Sequence, residues 1–195
     1  VGLKPAKKIN MALLIGDLYN GFESGICSGA EQFAKEHDIN LICFVGSELG
    51  STTGINAGRN DIYELMSVYN VDGIIGISST LSNLTGKKRL IEFYSHYAPL
   101  PLVSIGIDMA GMPGVLCDNQ KSMRELLVHL IEKHKCREIA FIKGLEINPD
   151  TQARLKTYKE VLAEYDMSVN EDLIVAGDFN TSSGKKAVDT LLDKP

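Results

Sequence analysis

The sequence predicts an α/β fold in which a parallel sheet is covered by helices on both faces. Short runs rich in Ile, Val and Leu alternate with amphipathic stretches along the chain. The runs are continuously apolar rather than alternating, as strands buried on both faces must be. The pattern also restarts near residue 120, so two successive units are expected: an N-terminal lobe over 1–119 and part of a C-terminal lobe over 120–195.

The first strand is Ile9–Ile15, ended by Gly16–Asp17. A helix follows from about Gly21 to His37, because Phe22, Ile26, Ala30, Phe33 and Ala34 recur at helical spacing while Glu31 and Lys35 form an outward i, i+4 pair. Ile39–Val45 is the second strand. Gly46–Asn60, rich in Gly, Ser, Thr and Asn, reads as a loop at the same end of the sheet as Gly16–Gly21. Asp61–Tyr69 reads as a short helix, Val71–Ile77 as the third strand, Lys87–Tyr97 as a helix and Leu102–Ile107 as the fourth strand. Pro99 and Pro101 flank the start of that strand, where a missing amide donor does no harm.

Val115–Cys117 is a brief strand, and Asp118–Asn119 is the expected crossover between lobes. Met123, Leu126, Leu127, Leu130 and Ile131 then form a helical stripe. The pattern repeats as strand Glu138–Ile142, helix Thr151–Tyr165, strand Leu173–Ala176 and helix Ser183–Asp193. Two parallel strands do not make a covered sheet alone. The expectation is therefore a first lobe plus a truncated second lobe, completed by residues outside this chain or by a partner chain.

A chain of 195 residues, 44% hydrophobic and 23% charged, has an ordinary globular composition. Its formal net charge of −5 argues against direct nucleic-acid contact, which needs clustered Lys and Arg to displace counterions. No apolar run approaches the roughly 18 residues needed to span a bilayer, and Val1–Asn10 has no apolar signal-peptide centre before Ile9. A cytoplasmic location without membrane contact is expected. Cys27, Cys43, Cys117 and Cys136 include no C-x-x-C pair, and buried free thiols are the expectation over disulfides or a zinc site.

Signatures of catalysis are missing: the sequence has no G-x-S-x-G elbow and no H-E-x-x-H. His129 and His134, at i, i+5, are expected not to share a helix face, so no metal and no cofactor is expected. Gly177–Lys185 has the wrong spacing for a phosphate loop, and Lys186 stands where such a loop carries a hydroxyl. The chain is read as a binding domain, not an enzyme.

The loop Gly16–Phe22 joins the carboxyl end of the first strand to the first helix, the edge at which open parallel sheets bind ligands. Asp17, Tyr19 and Phe22 are candidate contacts; the structural alternative is that Asn20 caps the helix and Phe22 packs on the core. Asp108 follows the fourth strand at the same edge, either accepting ligand hydrogen bonds or serving as a turn residue. Arg154, early in a helix, can present a planar fork to a polar ligand or pair with Asp150 at i−4. Phe179, in Gly177–Asp178–Phe179–Asn180, can stack on a flat ligand or pack in the core.

Taken in order, Ile9–Phe22, Val71–Ile75, Pro101–Asp108, Val115–Asn119, Arg137–Ile142, Arg154–Tyr158 and Gly177–Phe179 resemble the effector domains of the lactose-repressor family, a type I periplasmic-binding-protein-like fold. The resemblance covers nearly the whole chain and implies Tyr19, Phe22, Asp108, Arg154 and Phe179 as effector contacts. One departure is Thr157, where the family usually has glycine. Ile42–Gly46, Leu102–Gly106 and Leu126–Ile131 are further similar to sensor modules fused to bacterial histidine kinases or diguanylate cyclases. The leading residues are basic and linker-like.

The resemblance implies a small polar metabolite, sugar- or nucleobase-like, as ligand, with ligand-dependent lobe closure driving a kinase, cyclase or DNA-binding output domain outside this chain. It also implies a homodimer through the N-terminal lobe. Two other classes are weighed: an α/β hydrolase of a phosphorylated small molecule using Asp17, and a dimerisation module without ligand.

Overall fold

The computed structural model describes residues 7–52, 56 and 58–193. Residues 1–6 of the linker-like leader and positions 53–55 and 57 of the expected 46–60 loop lie outside the described residues. The chain divides into two compact units, Val1–Leu116 and Cys117–Pro195.

The first unit holds β1 (Asn10–Ile15), β2 (Asn40–Val45), β3 (Gly73–Gly76), β4 (Leu102–Ile105) and β5 (Gly114–Val115), in the order β2-β1-β3-β4-β5. Every pairing is parallel; Leu13 lies opposite Cys43 on one side and Ile75 on the other. Side chains alternate across a strand, and β1 shows why both faces need cover. Ala12 and Leu14 join a core with Tyr63, Leu90 and Tyr94, whereas Leu13 and Ile15 join one with Ile26 and Ala30 of α1 (Gly21–Glu36). The first core is closed by a 3₁₀ turn at Arg59–Leu65, by α2 (Ser78–Leu81) and by α3 (Gly86–Ser95). The expected parallel sheet with helices on both faces is what this unit has.

Each fully buried Leu or Ile contributes about 1.5–3 kcal/mol, against about 1 kcal/mol or less for an exposed ion pair such as Lys35–Glu31. The central strand therefore outweighs the surface charges in holding the unit together. Tyr63 fastens the next layer: its hydroxyl donates to the Ile15 carbonyl at 3.0 Å, and a Cβ at Gly46 would lie 2.4 Å from its ring.

The second unit holds α4 (Asn119–Glu132), β6 (Phe141–Lys143), α5 (Pro149–Glu164), β7 (Ile174–Ala176) and α6 (Thr181–Leu192), with β6 and β7 parallel. Its core joins Leu127 and Ile131 of α4, Phe141 of β6, and Tyr158, Val161 and Leu162 of α5. Leu126, counted in the expected stripe, is exposed. Thr157 is buried, and its hydroxyl donates to the Ala153 carbonyl one turn back at 3.0 Å. The helix thus accommodates a side chain where the family usually has glycine without leaving the hydroxyl unsatisfied.

Three local expectations are corrected. The helix expected over Asp61–Tyr69 is the shorter 3₁₀ turn, because the Asn70 side chain takes the Leu65 carbonyl and accepts from the Ser67 N–H, ending the coil. Cys43 and Cys117 are exposed rather than buried: β2 is an edge strand, and Cys117 lies beyond the two-residue β5 at the opposite edge. His129 and His134 do meet, with Nε2 atoms 3.0 Å apart, because the chain leaves the helix after Glu132 and Lys135 takes a positive φ that folds the segment back. Among the described residues no helix is long and apolar enough to cross a membrane.

Candidate functional site

In the first unit the chain runs one way across the sheet from β1 to β2 and the other way from β3 onward. The loops leaving β1 and β3 therefore flank the switch point at the carboxyl edge, where open parallel sheets form a crevice. Asp17, Tyr19 and Phe22 lie on the first of these loops. Asn20 caps α1, its side chain accepting from the Phe22 N–H at 2.9 Å, so the capping alternative holds for that residue. Phe22 is 46% exposed and Tyr19 98%, so neither is a core side chain. Asp17 accepts from the Tyr19 N–H at 2.8 Å, which fixes the turn.

The residue that shapes this edge is Glu23, 1% exposed in the first turn of α1. Its carboxylate accepts from the Gly16 N–H at 3.2 Å, from the Asp17 N–H and from the Thr80 hydroxyl of α2. One buried side chain thereby ties the exits of β1 and β3 together. Burial pushes its pKa above the ordinary carboxylate value; these three hydrogen bonds pull the other way, and the Asp17 charge adds to the rise.

Asp108 is reached through a different device. Gly106 takes φ +85° at the end of β4, and a Cβ there would lie 2.5 Å from the Ser79 hydroxyl oxygen. Beyond that turn Ile107 and Met109 point into the core, which leaves Asp108 exposed between them. Asp17, Tyr19, Phe22 and Asp108 thus share the carboxyl edge of one sheet.

In the second unit Arg154 and Phe179 line a single cavity of about 220 Å³ at the carboxyl ends of β6 and β7, together with Gly144, Thr151, Asn180 and Ser183. Arg154 does not take the Asp150 partner offered by sequence; its Nε donates to Asn119 Oδ1, in the first turn of α4, at 2.8 Å. Phe179 adopts φ +67°, a left-handed conformation that costs a non-glycine residue about 1–2 kcal/mol. It is held there by Asp178, whose carboxylate accepts from the Asn180 N–H at 3.0 Å and whose own N–H donates to Ser183. A Cβ at Gly144 would lie 2.1 Å from the tip of the Phe179 ring, so the ring lies directly over this strand end.

The cavity is electropositive. The first turns of α5 and α6 both meet it, each carrying partial positive charge. Asn148 already accepts from the Asp150 and Thr151 N–H groups of α5, whereas Asn180 makes no side-chain cap on α6. Thr151 is 2% exposed, and its hydroxyl has no hydrogen-bond partner among the described residues. A buried hydroxyl left unmade costs about 1–3 kcal/mol. A guest with electron-rich polar atoms would meet the Arg154 guanidinium, this hydroxyl and the α6 amides, and one with a flat face would meet Phe179.

Sequence reasoning missed Glu23, Thr80, Asn119 and Thr151. Only Glu23 left a signal: it stands three residues after the cap Asn20, the position of a capping-box acid, yet its carboxylate reaches past the cap to Gly16 and Asp17. Thr80 and Asn119 depend on long-range pairings, and Thr151 on burial by tertiary packing, none of which a local pattern records.

No protein-family model matches the chain. It is similar to catabolite control protein A of Priestia megaterium, 28% identical over 200 residues, covering 99% of this chain and 55% of that protein. It is also similar to the HTH-type transcriptional repressor CytR of Escherichia coli, 26% identical over 184 residues, covering 94% of this chain and 50% of that protein. Among solved structures it resembles a transcriptional regulator CelR–cellobiose complex, with a TM-score of 0.72 and 27% identity over 97% of this chain and 57% of that one. The transcription regulator CcpA of Lactococcus lactis matches with a TM-score of 0.76 and 18% identity, over 96% of this chain and 65% of that one. The chain spans about half the length of the protein relatives. Its fold is the periplasmic-binding-protein-like one of LacI-family regulators.

Proposed function

We infer that this chain, which shares the fold of LacI-family regulators, is the effector-sensing part of a transcriptional regulator and binds a small polar metabolite. The observation that carries the reading is the cavity in the second unit, where Arg154, Phe179 and the unpartnered Thr151 hydroxyl converge. The ligand presents electron-rich atoms to Arg154 and Thr151 and a flat or ring-shaped face to Phe179. A sugar or nucleobase-like compound has both features. Asp17, Tyr19 and Phe22, on the loop set by Glu23, and Asp108, beyond the Gly106 turn, are the contacts assigned to the first unit.

The ligand acts by differential affinity. It favours one of two pre-existing conformational states of the protein, and only the difference in binding energy moves the equilibrium. The output is a DNA-binding segment outside this chain. The HTH-type regulators among its relatives support that output over the histidine kinase or cyclase also expected from the sequence, for which no relative speaks. The regulator works as a homodimer through its first unit.

Calorimetric titration with mono- and disaccharides, purine and pyrimidine bases and nucleosides tests the reading. One compound should bind the wild type, and Arg154→Ala should weaken it at least about tenfold. A binder unaffected by changes at Arg154, Thr151 and Phe179 would remove the site assignment.

A further inference from the structure

Outside the site just described, two sulfurs meet on the first unit. Cys27 projects from α1 and Cys43 from the edge strand β2, and their Sγ atoms lie 3.8 Å apart as free thiols. We propose that Cys27 and Cys43 are a thiol–disulfide exchange site, closing reversibly into an intramolecular disulfide that staples α1 to β2.

Geometry, uniqueness and access support the assignment. Closing 3.8 Å to a bond of about 2.05 Å moves each sulfur by about 0.9 Å, within the reach of modest χ1 rotation. The backbone brackets are rigid: Ile26 and Ala30, on either side of Cys27, pack with Leu13, Ile15 and Ile77, and β2 pairs along its length with β1. These are the two cysteines of Val1–Leu116, so each has one possible partner within the unit. Cys43 is exposed on an edge strand, where a small disulfide can reach the pair.

The chemistry balances with a low-molecular-weight disulfide as oxidant. The Cys27 thiolate attacks one sulfur of the reagent, forming a mixed disulfide and expelling one thiolate. The Cys43 thiolate then attacks the Cys27 sulfur and expels the second. Two protein thiols are oxidised, one reagent disulfide is reduced to two thiols, and the two protein protons leave with them. Burial first, then the Cys27 thiol and the Glu31 charge, push Cys43 up to about 11, so in the dithiol form Cys43 is almost wholly protonated at neutral pH. The disulfide closes the chain from Cys27 to Cys43, pinning the helix whose first turn carries Phe22 and Glu23.

The test is incubation of the full chain with oxidised glutathione at mildly alkaline pH, quenching with N-ethylmaleimide, and intact-mass and peptide mapping. After the quench the wild type should carry two fewer maleimides than the reduced chain quenched the same way and yield a cross-linked Cys27–Cys43 peptide, restored to free thiols by dithiothreitol. The Cys117→Ser/Cys136→Ser double variant should behave the same way, and Cys43→Ser should instead retain one glutathione on Cys27. Alkylation of both thiols after oxidation, glutathione adducts without ring closure in the wild type, or bridges only between chains would each overturn the proposal.

Discussion

Arg154 Nε donates to Asn119 Oδ1 at 2.8 Å, joining the early turns of two helices 35 residues apart in sequence. The bond uses Nε of a guanidinium that lines the cavity, not its terminal nitrogens. Asn119 is therefore the residue that aims Arg154, and the pair should act as a unit in binding.

Asn119→Ala should weaken binding of an identified ligand about three- to tenfold without touching it, and Arg154→Lys should lose most of what Arg154→Ala loses. A lysine supplies charge but not the planar fork. The two losses should be less than additive in the double variant, because both act through one guanidinium. Calorimetry on the four proteins reads the coupling directly.

Thr151 offers the cleanest separation of stability from function. Its hydroxyl is buried without a partner in the ligand-free chain, so Thr151→Val should leave the unfolding free energy unchanged or raise it by about 1 kcal/mol. The same variant should bind the ligand about tenfold more weakly, since the guest loses the partner that the site holds ready. Urea unfolding and calorimetry on one preparation measure both.

Phe179 should separate strain from contact. Its φ of +67° suits glycine, so Phe179→Gly should unfold at a higher temperature than Phe179→Ala, by about 1 kcal/mol in stability. Both should lose affinity for a flat ligand to a similar degree, because both lack the ring. Thermal melts with and without ligand check the two halves of this statement.

Glu23 makes stability depend on pH with a defined sign. Its folded pKa is raised above the ordinary value of 4.5. Between 4.5 and the raised value the unfolded chain is ionised while the folded chain keeps its proton, so rising pH disfavours folding. Relative to the non-titrating Glu23→Gln, the wild type should therefore be most stable below pH 4.5 and should lose ground as pH rises through the window. Denaturant unfolding of both proteins from about pH 4.5 to about pH 7.5 gives the difference curve.

The sheet was readable because burial on both faces leaves an unbroken apolar run: Leu13 and Leu14 serve opposite cores yet look alike in sequence. The start of α1 was equally plain, because Asn20 marks it, whereas the cap Asn148 went unread and α5 begins two residues before the expected Thr151. Edge position was not readable, since Cys43 sits in a run as apolar as any other and only the strand order exposes it. At the site, Arg154 and Phe179 could be named from their places after a strand or in a helix. The Asn119 partner, the burial that orphans the Thr151 hydroxyl and the reach of Glu23 to Thr80 are set by tertiary packing, which carries no local periodicity.

The most direct measurement is a crystal structure of the chain with the calorimetrically identified metabolite. The metabolite's polar edge should lie within hydrogen-bonding distance of the Arg154 guanidinium and the Thr151 hydroxyl, and its flat face against Phe179. Density for the metabolite elsewhere, with that cavity unchanged, would contradict it.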